Sequence, residues 1–506
     1  QAYLKLNWRD HFVAKNDPNY ASFQSPRVNT GKWPKTSVLL SPRVGFNYDI
    51  NGDRSLVVRG GTGVFTGRVP LVFLVNMPTN SAMIQNTITV TDAKTLEKFK
   101  NNMLTNVDDM IKLLDAPTTP IYGDPNSTAS RASIAGIADD FKMPQIWKNT
   151  LAVDYRLPVS FPLTLTVEGM YNKDIYNVVM RNWNIVNNGN LSRFAGPDNR
   201  LDYSTSTTGN YLVDKNVTGG AVILDNDTRG YSASFNTMVT AEPIKDLNLM
   251  FSYTHQWAKE ITGLPGNQAY STWQGLYAVD GPNNAELHNA QYLTPDKLIA
   301  SLTYRKDYGK YFATSVGLYY AAYSSGMYNY YYSNDMNGDK NSFDLMYIPR
   351  TKDELKFVDK NGFTAAEQAE AFWRFVEQDK YLSAHKGEYA EAYGAALPWV
   401  HRFDLKVTQD FRLRAGKAIH TLQLSFDILN VGNLLKSSWG VTQTTSPSNY
   451  GKILRYEGKD ANGVPTYSMG YNTVNKQKQL YSRTYEPYRN SSNCWQMQIG
   501  LRYIFN

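Results

Sequence analysis

"SPRVGFNYDINGDRSLVVRGGTGVFTGRVP", residues 41–70, holds two extended runs around one tight turn. In the first run Val44, Phe46 and Tyr48 alternate with Arg43, Gly45 and Asn47, so successive side chains address opposite faces of a strand. An Asn-Gly-Asp turn at Asn51, Gly52 and Asp53 reverses the chain. The second run contains Gly60, Gly61, Gly63 and Gly67 together with Arg59 and Arg68. Glycine weakens a strand interior, so this run marks either a bulge in the wall or a surface that another backbone approaches closely.

The same two-residue period recurs along the chain. Leu163, Leu165 and Val167 alternate with Thr164, Thr166 and Glu168; Leu247, Leu249, Phe251 and Tyr253 alternate with Asn248, Met250 and Ser252. Leu422, Leu424, Phe426 and Ile428 alternate with Gln423, Ser425 and Asp427, and Met497, Ile499, Leu501, Tyr503 and Phe505 with Gln498, Gly500 and Arg502. One face is apolar and the other polar or charged. The connections alternate too. Tight turns near residues 50–54, 158, 242–246, 307–310 and 412–418 are separated by long segments at 69–143, 186–220, 259–295, 324–398 and 432–493. A soluble sandwich shows turn signals roughly every 8–12 residues, and structureless loops of this length are uncommon in compact domains. The pattern predicts an all-β fold, a transmembrane antiparallel outer-membrane β-barrel with short periplasmic turns and long extracellular loops. The alternation gives about 12–14 strands, depending on whether "GKILRYEG" and "VPTYSMGY" form an extra hairpin. It also sends the run at 494–505 down toward the periplasm. Short helices are expected inside the loops: Thr364 to Glu367 is a capping box ahead of an apolar stripe of Phe372, Phe375 and Val376 expected to pack on its own loop, and residues 92–117 read as a helix or helix pair.

Composition narrows the class further. A chain of 506 residues would ordinarily suggest about three globular domains. Here charged residues make up only 19%, yet mean hydropathy is −0.46 and aromatics reach 13%, with 36 Tyr. No run of 18 apolar residues offers a membrane helix. No charged-then-apolar leader opens the chain, and "QAYLKLNWRD" already reads as a strand, so the sequence is expected to begin inside a larger sheet. The single Cys494 excludes an internal disulfide. The net charge of +7 is scattered over Lys and Arg along the chain, which fits a solvated surface and no nucleic-acid partner.

Residues 41–70 resemble the barrel of TonB-dependent receptors, in particular the Oar-like type that carries an N-terminal carboxypeptidase-regulatory-like domain. "KMPQIWKNTLAVDYRLP" from Lys142, "LDNDTRGYS" from Leu224, "NDMNGDKNSFDLMYIP" from Asn334 and "YLSAHKGEYAEAYGAALPWVHRFDLKVTQDF" from Tyr381 agree in the same order. "DILNVGNLLKSSWG" from Asp427 is similar to the Asn-Leu signature near the end of many such receptors, and "QIGLRYIFN" resembles an outer-membrane terminal strand, although Phe505 is penultimate rather than last. The resemblance implies a barrel of about 22 strands closed around a plug, with residues 1–506 as its C-terminal part. The carboxypeptidase-regulatory-like domain, plug and first strands would lie on a segment outside this sequence. It implies a multi-pass barrel in the outer membrane of a Gram-negative bacterium. Its partners would be outer-membrane lipids, TonB through the missing N-terminal part, the barrel-insertion machinery through the C-terminal strand, and a surface lipoprotein lid or other outer-membrane partner. Inward glycines would then make room for the plug, and luminal arginines would pair with it.

Catalytic chemistry is not visible. His11, His255, His288, His385, His401 and His420 show no zinc spacing, and no Gly-x-Ser-x-Gly elbow or Walker loop occurs. Asp108-Asp109 and Asp139-Asp140 read as solvated loop carboxylates. The chain is therefore not expected to be an enzyme, and no cofactor follows with certainty. One stretch suits calcium: Asp335, Asn337, Asp339 and Asn341 offer oxygens at every second position, with Asp344 in place of the usual terminal Glu. Lys340 stands where an EF-hand has Gly, and an Asx-rich surface turn is the plainer reading. Just before it, Tyr328, Tyr330, Tyr331 and Tyr332 form either a substrate-binding surface on an outer loop or part of an aromatic girdle at the membrane interface. The expected function is TonB-energised uptake of a substrate captured by extracellular loops. The alternative is an Oar-like barrel acting in secretion, adhesion or surface-complex assembly.

Overall fold

The computed structural model describes residues 33–79, 92–100, 107–113, 134–185, 191–205, 220–446 and 450–505. Among these, eleven strands follow one another in chain order through a single ladder. They are β1 (Arg43–Asp49), β2 (Leu56–Thr66), β3 (Gln145–Arg156), β4 (Leu163–Asn182), β5 (Tyr231–Ile244), β6 (Leu247–Glu260), β7 (Asp296–Tyr308), β8 (Phe312–Ser324), β9 (Trp399–Ala415), β10 (Ala418–Leu429) and β11 (Gln496–Phe505). Every adjacent pair is antiparallel. Three short strands, Ile134–Ile137, Ala221–Asp227 and His288–Asn289, bring the sheet to fourteen. They pair above the wall, at the upper ends of β4 and β6. The hairpin left open by the sequence exists as Leu454–Lys459 with Pro465–Met469, but it belongs to the loops and not to the wall. The strand expected at residues 2–8 lies outside the described residues.

Short turns all fall at one end and long connections at the other. The β1–β2 turn shows why a five-residue signal suffices. Asp49 accepts backbone N–H bonds from Gly52 (3.0 Å) and Arg54 (2.8 Å), and both residues take positive φ, 75° and 60°, where Gly is unstrained. His420 lies opposite Phe505, so the chain's last strand ends on the short-turn side, as the alternation requires.

The two faces of the wall differ in kind. Leu424 and Phe426 lie beside Leu501 and Ile499 on the outward face. Aromatic bands edge that face at both ends: Tyr308, Phe312 and Phe411 near the short turns, and Tyr320, His401, Phe403 and Trp399 near the long connections. Phe312 and Tyr320 are separated by about 26 Å of strand, or about 20 Å of height at a barrel tilt, close to the usual apolar band. The inward face carries ion pairs instead. Arg59 bridges Asp154 (2.9 Å) and Glu168 (3.1 Å), Arg305 meets Asp410 at 2.9 Å, Arg412 meets Asp307 at 2.8 Å, and Lys406 meets Asp427 at 2.7 Å. This chemistry makes a sharp prediction for Leu424→Arg. It is expected to cost about 2–4 kcal/mol near the midplane, whereas Ser425→Arg, one residue along and opposite Gly500, should cost far less. Unfolding in lipid vesicles would measure both, and equal costs would invert the face assignment.

The glycines of β2 receive a specific answer. Its ladders with β1 and β3 run without a register shift, which removes the bulge reading. A Cβ at Gly60 would stand 2.8 Å from the Thr150 carbonyl oxygen and 3.0 Å from the Phe46 ring, and one at Gly63 would stand 2.9 Å from Arg43 Cγ. The missing side chains let β1 lay its own side chains across the neighbouring strand. Arg59 is likewise matched by carboxylates of the wall itself.

Among the described residues β1 pairs only with β2, and β11 only with β10. Within the loops, α1 (Ala365–Gln378) opens on the expected capping box: Thr364 Oγ1 accepts from Glu367 N, and Glu367 accepts from Thr364 N. Phe372, Phe375 and Val376 are buried, packing the helix onto the loop core as the stripe implied. Helical segments also occur at Ala93–Lys100 and Val107–Leu113; residues 101–106 and 114–117 lie outside the described residues.

Candidate functional site

Connections that are far apart in sequence fold into one extracellular cap. Phe194 comes from the β4–β5 connection, Tyr330, Met346 and Phe375 from β8–β9, and Ile453 and Tyr467 from β10–β11, all in a single buried cluster. Large aromatic and aliphatic side chains supply the apolar area that lets such loops hold a fixed shape.

Two buried carboxylates organise this core. Asp379 caps α2 (Lys380–Ala384) by accepting from Tyr381 N and Leu382 N, both at 2.9 Å. Its other oxygen accepts from Tyr330 Oη and Thr484 Oγ1, both at 2.6 Å. Asp198 accepts from Arg200 Nε (2.8 Å) and Nη2 (3.1 Å), Tyr332 Oη (2.7 Å) and Tyr467 Oη (3.1 Å). Arg200 is 0% exposed. Its Nη2 also donates to the Leu345 carbonyl at 2.6 Å, and its guanidinium lies 4.9 Å from the Tyr332 ring centroid. Burial opposes the Arg200 charge, but Asp198, Tyr332 and Asp344 outweigh it and hold the group above its ordinary pKa. Burial, reinforced by Asp379 and Asp198, pushes the Tyr330, Tyr332 and Tyr467 hydroxyls well up, so they act as neutral donors.

The tyrosine run is thereby relocated. Tyr328, Tyr330, Tyr331 and Tyr332 are all buried, in the cap rather than on a free loop surface or in the membrane girdle. Tyr328 Oη meets Tyr330 Oη (3.1 Å) and Tyr485 Oη (3.0 Å), and Tyr331 packs edge-on to Tyr277, centroids 5.0 Å apart. The segment is neither a strand end in lipid nor an exposed lip. Alternate apolar and hydroxyl contacts bury it instead.

The oxygen-rich loop is a chain of Asx turns, and it is buried rather than on the surface. Asp335 accepts from Gly338 N (2.7 Å) and Lys340 N (2.9 Å), Asn337 from Asp339 N (3.0 Å), Asp339 from Asn341 N (2.7 Å), and Asp344 from Met336 N (2.7 Å). Lys340 takes φ 72°, the conformation a Gly would supply there. Asn337, Asp339, Asn341 and Asp344 are all buried. Burial, then the neighbouring carboxylates Asp344 and Asp335, push Asp339 well up. Burial also raises Asp344, to about 7, against the opposing pull of Arg200. Among the described residues, no group of three His, Cys, Asp or Glu side chains converges as metal ligands do. Most of the loop's side-chain oxygens accept backbone N–H bonds, while Asp344 Oδ1 faces Arg200 Nη1 at 3.7 Å.

Beside this loop the cap encloses a cavity of about 610 Å³, within the range of small-molecule sites. Arg193, Tyr277, Asp280, Glu286, Tyr389 and Glu391 line it. Arg193 grips Asp280 through both carboxylate oxygens, at 3.3 and 2.9 Å, and Lys259 pairs with Glu391. His288, also lining the cavity, sets its ring nitrogens against the carbonyls of Asn289 (2.8 Å) and Ile261 (3.1 Å). The lining residues arrive from three separate connections, and no motif marks them in the sequence. Among the described residues, the other histidines, His255, His385, His401 and His420, pair with Asp296, Glu388, Tyr320 and Tyr503, bracing strands and loops. The arrangement is suited to binding.

Residues 11–462 match the family described as "Outer membrane beta barrel domain". Among solved structures, the outer membrane transporter YddB from Escherichia coli is similar over 90% of this chain and 40% of its own, at 10% identity and a TM-score of 0.37. The ferric enterobactin receptor PfeA from Pseudomonas aeruginosa is similar over 80% of this chain and 35% of its own, at 9% identity and a TM-score of 0.37. The ferric-catecholate import receptor Fiu from E. coli K12 is similar over 85% and 53%, at 8% identity and a TM-score of 0.24. The chain thus spans well under two thirds of the length of each. No curated protein matches it.

Proposed function

The chain belongs to the outer membrane beta barrel domain family, and from that premise we propose that it forms the C-terminal part of a TonB-energised transporter in a Gram-negative outer membrane. The extracellular cap captures the substrate, and a plug-bearing segment outside this sequence couples the barrel to TonB. The observation that carries this reading is the cap itself. Its connections share one buried core and enclose a cavity of about 610 Å³ over the barrel. The single pairing of β1 and of β11 fits completion of the wall by strands outside the described residues, because an unpaired edge in lipid costs several kcal/mol per backbone group.

The test compares three strains: wild type, a deletion of this gene and a deletion of TonB. Mass spectrometry of the growth medium follows which solutes are depleted. A solute left behind by both deletions, and taken up by the wild type, is the expected result. A gene deletion that alters secreted proteins or surface adhesion while every solute is still consumed would overturn uptake in favour of a secretion or assembly role.

A further inference from the structure

After β10 the chain crosses the rim of the wall and folds back over its outer face. Asn430 adopts a left-handed backbone, φ 53°, and its N–H donates to Asp404 Oδ1 on the inward face at 2.7 Å. Two residues later the chain is on the other side. A Cβ at Gly432 would lie 4.0 Å from the Phe403 ring and 3.7 Å from the Trp439 ring. Phe403 belongs to the outward register of β9, opposite Tyr320. The short helix α3 (Val431–Leu435) and Trp439 therefore sit outside the wall, level with the upper aromatic band.

The fold of this segment is held by its polar groups. Asn430 Nδ2 donates to Gly440 O (3.1 Å) and Asn493 O (3.0 Å), Asn433 Nδ2 to Ser437 O and Trp439 O (both 3.0 Å), and Asn433 Oδ1 accepts from Trp495 N (3.1 Å). Its apolar side chains are left over. Leu435 is 76% exposed, Trp439 53% and Leu434 45%. Lys436 holds its ammonium 5.8 Å from the Trp439 ring centroid. Two leucines, a tryptophan and a lysine at the edge of a lipid-facing wall are the residue types that settle at a membrane interface, with the ring at headgroup level and the ammonium reaching toward phosphate.

We propose that residues 431–439 form an interfacial anchor, with Leu434, Leu435 and Trp439 entering the outer leaflet at the headgroup–acyl boundary and Lys436 bound to a lipid phosphate. The occupant is the membrane because the segment is continuous with the apolar face of β9 and its aromatic band. A protein partner would have to displace lipid from that same face.

The experiment uses the full-length protein in vesicles of phosphatidylethanolamine and phosphatidylglycerol. The exposed native thiol is first removed as Cys494→Ser. A nitroxide is then placed through Leu435→Cys, with Leu424→Cys as the lipid reference and Glu377→Cys, on the exposed side of α1, as the aqueous reference. The Leu435 label should favour oxygen over a nickel chelate several-fold, close to the Leu424 label. Lys436→Glu should shift it toward the chelate, and Lys436→Arg should leave it in place. A Leu435 label as chelate-accessible as Glu377 would overturn the anchor, as would one shielded from both reagents by a protein contact. An unchanged label in Lys436→Glu would overturn the phosphate contact.

Discussion

Arg200→Met is expected to cost about 3–5 kcal/mol of cap stability, the usual consequence of removing one partner from a buried pair. Asp198 would keep its hydrogen bonds from Tyr332 and Tyr467 but lose the cation that neutralises it, at a position 1% exposed. The loss should fall on the cap and spare the wall, since the lipid-facing ladder contributes nothing to this node. Near-ultraviolet circular dichroism would follow cap melting through its tyrosines, and protease added to intact cells would probe residues 325–398. Earlier melting and new cleavage, with the barrel still embedded, is the expected pair of results. Adding Asp198→Asn should recover part of the loss, because the stranded charge is then gone. Unchanged melting and protection in Arg200→Met would mean that the cap is not organised around this pair.

The second large effect is a dependence on pH. Asp344 is held protonated by burial until about pH 7, and Asp339 is pushed in the same direction. Both carboxyls ionise near pH 4 once unfolded. The folded cap therefore binds more protons than the unfolded one above about pH 4, so its stability falls as pH rises from about 4 to about 7. For Asp344 the shift corresponds to something on the order of 4 kcal/mol. Amide exchange across residues 335–346, corrected for intrinsic rates, should show protection falling over that window, and Asp344→Asn should flatten the slope. Protection that rises with pH would refute the burial argument. Calcium in the buffer adds a useful arm. If the loop takes the ion, its carboxylates ionise at no cost and the slope disappears; if the slope persists, the Asx turns satisfy the loop by themselves.

Much of the wall was legible in the sequence because its determinants are local. Leu422 to Ile428 alternate, and the wall places them in that alternation; Asp49 closes its turn with residues three and five positions on. Thr364 and Glu367 cap α1 within four residues. The glycines of β2 were legible as an anomaly only. Whether they marked a bulge or close packing depended on the register against β1 and β3, which no single strand contains.

The cap was not legible, for a reason that follows from the same distinction. Tyr328 to Tyr332 carry no period that tells a membrane girdle from a buried core. Their burial depends on Asp379, Asp198 and Thr484, tens to hundreds of residues away. The oxygen-rich loop likewise had the spacing of a calcium site, and only the tertiary structure shows which backbone N–H groups its oxygens accept from. By itself the sequence determined strand alternation, the order of short turns and long connections, and hence an outer-membrane barrel, because pleat and bilayer act on every residue in a repeating way. The tertiary structure decided the cap, its buried charges and its cavity, because those rest on single long-range contacts whose energy exists only once the loops have met.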